Sequence, residues 1–223
     1  MDTKAKRRQA LDIQIEARKE AIVNAAIQEF IENGIDNSKI SDIAKRAEVG
    51  TITVYRYFEN KPTLVIECAT KLWESETEKL RPLLFHEGFS SLNGFKQASH
   101  ILSTLASLYE YSPIMLRLLE QFDNYTVREQ ITKEQLVQYE SGIMKIRAEM
   151  LESFRKGQED GSIRTDIDSL KIYATATHAI ISLSQKLLLR GEIIQSDLET
   201  GANLQLKLLA DMVLNYIKAG NEV

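Results

Sequence analysis

Cysteine is all but missing from this chain: Cys68 is the single one in 223 residues. One thiol cannot form an intramolecular disulfide, which agrees with a reducing compartment. Cys68 falls on an apolar helical stretch, so a buried packing role is expected, because a reactive thiol needs an exposed, electropositive setting. Proline is scarce too, with three residues, and 43% of the chain is apolar. That excludes a disordered tail and leaves enough material for one or two domains with a sizeable core. No run approaches the ~20 apolar residues of a membrane span, and the charged N-terminus has no apolar segment behind it. A cytoplasmic protein without membrane contact is expected. The chain also lacks a Gly-x-Ser-x-Gly elbow, a Gly-x-x-x-x-Gly-Lys loop and a His-Glu-x-x-His helix, and His86, His100 and His178 are not at metal-ligand spacing. An enzyme, a transition-metal site and a cofactor are therefore not expected. Glu159-Asp160 reads as a solvated helix end.

An excess of positive charge is absent as well. The net charge is −4, which by itself counts against nucleic-acid binding. Its distribution matters more than its sum. Through Lys61 there are 11 Lys and Arg against 10 Asp and Glu, leaving 17 and 22 to the remainder, so the acidity lies towards the C-terminus. Lys4, Lys6, Arg7 and Arg8 form a basic arm that either meets phosphates or is simply solvated.

What the chain does contain is a short helix pair. Ile40, Ile43, Ala44 and Ala47 follow the i, i+3, i+4, i+7 spacing of a helix with one apolar face. After a tight turn at Glu48-Val49-Gly50, Val54 and Phe58 give a second helix one face to bury. Two short helices joined in this way form a helix-turn-helix, whose second member can lie in the DNA major groove. Thr51, Thr53, Tyr55, Arg56 and Tyr57 put hydroxyl, phenol and guanidinium groups on that second helix, the chemistry that phosphate oxygens and base edges require. The plain alternative is an all-α protein with two short helices and a few tyrosines outside. Upstream, a helix from about Leu11 or Ile15 to Asn33 is expected to stop at Gly34 and to pack Ile22, Ala26 and Phe30 on the pair. Ser38 is the expected N-cap of the second helix, with Lys39 and Ser41 facing the DNA backbone, and Asn60 is placed to cap the fourth helix ahead of Pro62.

The run Ile43-Ala44-x-x-Ala47-x-Val49, followed by Thr53-Val54-Tyr55-Arg56-Tyr57-Phe58-x-Asn60-Lys61-x-x-Leu64, resembles the DNA-binding domain of the TetR (tetracycline repressor) family of bacterial transcription regulators. Arg18, Ile22, Ala25, Ala26, Phe30 and Asn33-Gly34 resemble that family's first helix. The resemblance covers about the first seventy residues. It implies an all-α protein with a three-helix DNA-binding domain at residues 1–61 and a helical ligand-binding and dimerisation domain at 62–223. It also implies contacts to double-stranded operator DNA from Arg18, Ser38, Lys39, Ser41, Thr51, Ile52, Thr53, Tyr55, Arg56, Tyr57 and Lys61. Three positions depart from the family pattern. Glu48 stands where Gly is usual and carries strain of about 1 kcal/mol if its φ is positive. Gly50 replaces a capping Ser at a cost of a few tenths of a kcal/mol. Ile52 replaces a Gly, setting an apolar side chain where it can meet a thymine methyl group or merely cover its own helix.

Further along, helices are expected at about 63–80, 93–111, 112–122, 132–157, 169–190 and 197–219, separated by Gly, Pro, Ser and Asn clusters. Tyr173, Ala176, Ile180, Leu183 and Leu187 on one closing helix, with Leu204, Leu208, Met212 and Tyr216 on the other, are the expected surface of a homodimer. The alternative is that both helices complete the monomer core. Trp73, His100, Tyr109, Gln121, Phe122, Tyr125, Met144 and His178 are candidate contacts for a small-molecule inducer, although aromatic and Met sets at helical spacing also form plain core. The function expected is a ligand-responsive repressor that binds a palindromic operator as a homodimer. The rival is a helical ligand- or protein-binding module whose helix-turn-helix does not dock on DNA.

Overall fold

A computed structural model describes residues 3–220, and among them there is no strand, only an isolated antiparallel bridge between Ile163 and Lys218. The all-α expectation holds. The residues gather into two compact units, Met1–Leu72 with Gln121–Tyr139, and Trp73–Glu120 with Glu140–Val223.

The first unit contains α1 (Thr3–Asn37), α2 (Ile40–Arg46), α3 (Thr51–Phe58) and residues 61–72 of α4 (Lys61–Leu84). Packing also recruits the end of α6 (Pro113–Arg128) and the start of α7 (Lys133–Glu159). Its core is the apolar set read from the sequence: Ile22, Ala26, Phe30, Ile43, Val54, Phe58, Leu64 and Val65 are all buried. Cys68 is buried with them, its thiol 3.7 Å from the Val23 carbonyl oxygen, and burial pushes the thiol well above its ordinary pKa. The helical run of α1 breaks at Gly34, where φ is 78°. It starts earlier than expected, so residues 4–8 are helical and not a free arm. Arg7 and Arg8 are exposed; the side chains of Lys4 and Lys6 lie outside the described ones.

The second unit is built on α5 (Gly94–Tyr111), α8 (Ser169–Arg190) and α10 (Ala202–Ile217), packed on one another through Ile101, Leu105 and Leu108, through Ala176, Ile180 and Leu187, and through Leu206 and Ala210. α6 runs on to Arg128 through Asp123-Asn124, a pair that reads as a break. The last expected helix is divided instead: α9 (Gln195–Leu198) is a single turn, and α10 begins only after Gly201, whose φ of 70° interrupts the helix. Asp160 is more than a solvated end, for its Oδ2 accepts the Gly94 amide (2.7 Å) at the start of α5.

Candidate nucleic-acid interface

The turn between α2 and α3 is closed by backbone hydrogen bonds. Val49 N donates to Ala44 O (2.9 Å) and Glu48 N to Lys45 O (3.2 Å), the crossed pair of a Schellman stop. The residue at its left-handed position is Glu48, with φ of 54°, so the strain that the sequence made conditional is present. Gly50 is the N-cap of α3, in extended conformation and without a side-chain cap. Arg46 ties α2 to α1 through Glu32 and through the buried Glu29 (3.2 Å).

On α3, Val54 and Phe58 face inward while Thr51, Ile52, Tyr55 and Arg56 are exposed and Thr53 and Tyr57 partly so. Ile52 is 85% exposed and therefore does not cover its own helix. The Arg56 guanidinium sits 5.2 Å from the centroid of the Tyr57 ring, which steadies it while leaving its donors outward. Lys39, Ser41 and Arg18 are exposed as well.

Two expected contacts are turned inward. Ser38 is not the cap of α2: Lys39 holds that position without a side-chain bond. Ser38 is buried, and its hydroxyl donates to the carbonyl oxygens of Gly34 (2.6 Å) and Glu29 (3.3 Å), closing the end of α1 instead. Lys61 donates to the carbonyl oxygens of Ile35 (2.6 Å), Ser38 (2.8 Å) and Asp36 (3.3 Å), so its three ammonium protons are already committed. Burial lowers its pKa, opposed by the neighbouring Asp36 carboxylate. Asn60 does cap α4, its Oδ1 accepting from Thr63 N at 2.9 Å.

Sequence reasoning missed a second support for the junction between α1 and α2. Gln121 Oε1 accepts the Ile35 amide (2.9 Å), and Arg128 pairs with Asp36, whose carboxyl it holds below the usual range. Tyr125 is buried, with the Arg128 guanidinium carbon 5.2 Å from its ring centroid and its phenol pushed up to about 12 by burial. These partners lie 86 and 92 positions apart in the chain, and no local pattern announces them.

The inducer candidates are accordingly divided. Gln121, Phe122 and Tyr125 belong to the helix-turn-helix unit, where Phe122 packs on Tyr139 at 4.8 Å between centroids, and they serve its structure. Trp73, His100, Tyr109, Met144 and His178 belong to the other unit. Trp73, His100 and Tyr109 are partly buried there, but Met144 is 51% exposed and His178 is exposed, so neither lines an interior. The dimer candidates divide by helix. Tyr173, Ala176, Ile180 and Leu187 of α8 are buried within their own unit, and Leu183 partly so, because that face of α8 packs on α5 and α10. Leu204, Leu208, Met212 and Tyr216 of α10 stand out at 53, 44, 65 and 48% exposure, one row at four-residue steps.

Comparison with known proteins bears on the same segment. Residues 22–68 match the family described as bacterial regulatory proteins, tetR family. A stretch of 45 residues is 44% identical to the fatty acid metabolism regulator protein of Bacillus subtilis, covering 20% of this chain and 23% of that protein, so the match spans under a quarter of the relative's length. Over most of its length the chain is similar in fold to a FadR transcriptional regulator from Bacillus subtilis solved in complex with stearoyl-CoA, at 18% identity and a TM-score of 0.63, covering 91% of this chain and 99% of that one. It is likewise similar to the fatty acid degradation regulator FadR from Bacillus halodurans, at 16% identity and a TM-score of 0.61, covering 89% and 99%.

Proposed function

We propose that this chain, which belongs through its residues 22–68 to the tetR family of bacterial regulatory proteins, is a cytoplasmic repressor that binds a palindromic operator as a homodimer and is released by a small molecule. The observation that carries this reading is α3: a helix held on the unit by Val54 and Phe58, offering Thr51, Thr53, Tyr55 and Arg56 together with an isoleucine that is 85% exposed. Thr51, Thr53 and Arg56 are the base readers, Ile52 meets a thymine methyl group, and Tyr55, Tyr57, Lys39, Ser41 and Arg18 hold phosphates. Residues 1–61 form the reading head, to which residues 62–72 and Gln121–Tyr139 are packed, and the rest of 62–223 is the regulatory part. The two heads read half-sites about 34–36 Å apart, and the row on α10 joins the subunits.

The similarity in fold to a regulator solved with stearoyl-CoA supports an amphiphile with an acyl chain as the inducer class. Such a ligand shifts the heads only by as much as it prefers one state, so a few kcal/mol of selectivity is required. Selection of duplexes from a random pool by the purified protein, followed by salt titration of the winner, tests the reading. A two-fold symmetric site whose affinity falls steeply with salt is expected. No enrichment, or binding indifferent to salt, would favour the helical module that does not dock on DNA.

A further inference from the structure

Spacing in the sequence keeps the histidines apart, yet the fold brings two of them together. His86 follows the end of α4 and His100 lies in the second turn of α5, both within the second unit. Their ring centres are 4.7 Å apart, with the planes at 84°. Phe89 is buried and forms a common wall for the pair, its centroid 6.0 Å from that of His86 and 5.8 Å from that of His100. The turn that carries Phe89 is fixed from two sides. Gln97 Nε2 donates to the carbonyl oxygens of Phe89 and Leu92 (both 3.0 Å), and Lys156 Nζ to those of Ser90 (2.9 Å) and Leu92 (2.7 Å).

Hydrogen bonds decide which nitrogen of each ring is free. His86 Nδ1 lies 2.7 Å from the Glu87 carbonyl oxygen, and His100 Nε2 lies 2.8 Å from that of Leu83. A carbonyl oxygen only accepts, so each of these nitrogens carries a proton. In the neutral rings the lone pairs are therefore left on His86 Nε2 and His100 Nδ1. An imidazole that donates its N–H to a backbone carbonyl is held in orientation and made more basic at its other nitrogen, the usual support of a metal-binding histidine. The separation of the rings agrees with that role. Two imidazoles bound at about 2.0–2.1 Å to one ion, at angles between square and tetrahedral, hold their ring centres about 4.5–5.2 Å apart.

We propose that His86 Nε2 and His100 Nδ1 bind one divalent transition-metal ion, Cu²⁺, Ni²⁺ or Zn²⁺, and so join the tail of α4 to α5. Imidazole nitrogen suits these ions, whereas Mg²⁺ and Ca²⁺ take oxygen ligands. Among the described residues no third His, Cys, Asp or Glu gathers with the pair. Water fills the remaining positions, so binding is weaker than in a closed four-ligand site, and Cu²⁺ binds ahead of Ni²⁺ and Zn²⁺.

Calorimetric titration of the untagged full chain with Ni²⁺ and Zn²⁺ near neutral pH, and electron paramagnetic resonance of its Cu²⁺ complex, test the site. One ion per chain is expected, with two imidazole nitrogens in the Cu²⁺ spectrum. His86→Gln and His100→Gln should each weaken binding by about tenfold or more, while His178→Gln, which removes the remaining histidine, should leave it unchanged. Binding should also weaken below about pH 6, where protons compete for both nitrogens. The nitrogen count is read on wild type, so it decides the matter even if a variant folds poorly. No binding at millimolar ion, a Cu²⁺ spectrum with a single nitrogen, or affinity that survives both substitutions would overturn the site and leave the two rings as packing groups.

Discussion

Glu48 sits in the turn of the reading head with a φ of 54°, closing a Schellman stop that glycine fills without strain. An L-residue in that region costs about 1–2 kcal/mol against one in the right-handed region, and the greater freedom of glycine in the unfolded chain offsets part of it. Glu48→Gly is therefore expected to stabilise the protein by about 1 kcal/mol, read as a higher urea midpoint at unchanged m-value. A midpoint that stays or falls would mean the turn holds glutamate at no cost. Lys61 makes the opposite case. Its ammonium is divided among three carbonyl oxygens at the end of α1, so Lys61→Met strands two partly buried acceptors and should cost about 1–2 kcal/mol. With no proton to spare for a phosphate, its removal should leave the salt slope of operator binding where it was. A slope smaller by about 0.9 would return Lys61 to the DNA backbone.

Among the elements, most helices were legible because their apolar positions repeat at the helical period and their caps are local, as with Asn60 before α4 and Ile43 within α2. What was not legible depends on partners distant in sequence. Ser38 looks like a cap until Glu29 and Gly34 take its hydroxyl, and α8 looks like a dimer surface until α5 and α10 cover it. Gly94 reads as loop punctuation, yet a Cβ there would lie 1.9 Å from Gly157 N and 2.2 Å from Gly157 Cα. Both atoms are backbone, so no rotamer change relieves the clash and α5 must lift off α7. Gly94→Ala is expected to cost about 3 kcal/mol or more, the upper end of overpacking, seen as a large drop in Tm; a loss below about 1 kcal/mol would mean the crossing is looser than drawn. Asp160 caps the same crossing. The amide of Gly94, and then Ser162, hold its carboxyl below the usual range. The unfolded chain therefore binds the proton more readily, and this contribution is present above about pH 4 and lost as pH falls through the folded pKa. Urea midpoints measured from about pH 5 down to about pH 2 should fall less steeply for Asp160→Asn than for wild type, and parallel curves would remove Asp160 from the acid transition.

For the whole molecule the open question is what covers α10. Leu204, Leu208, Met212 and Tyr216 make one row over about three turns of helix, and a contiguous apolar face on an otherwise charged chain marks an interaction surface. A second copy fits the proposed function, in which each α3 would read one half-site and an isologous contact would supply the other. The row also has an internal anchor: the Arg164 guanidinium stacks 4.6 Å from the Tyr216 centroid and pairs with Asp166, which holds the end of the stripe in place. Paired Leu208→Glu and Met212→Glu substitutions set like charges opposite each other across a two-fold axis while altering only exposed positions, so the monomer fold should survive. Sedimentation should then report a monomer. Operator affinity should drop by about 10²-fold or more, because the second head loses the effective concentration that the linkage provides. A variant that remains dimeric would move the interface elsewhere on the chain. One that becomes monomeric yet binds the full operator as tightly as wild type would show that a single head suffices, and the two-fold reading would have to be abandoned.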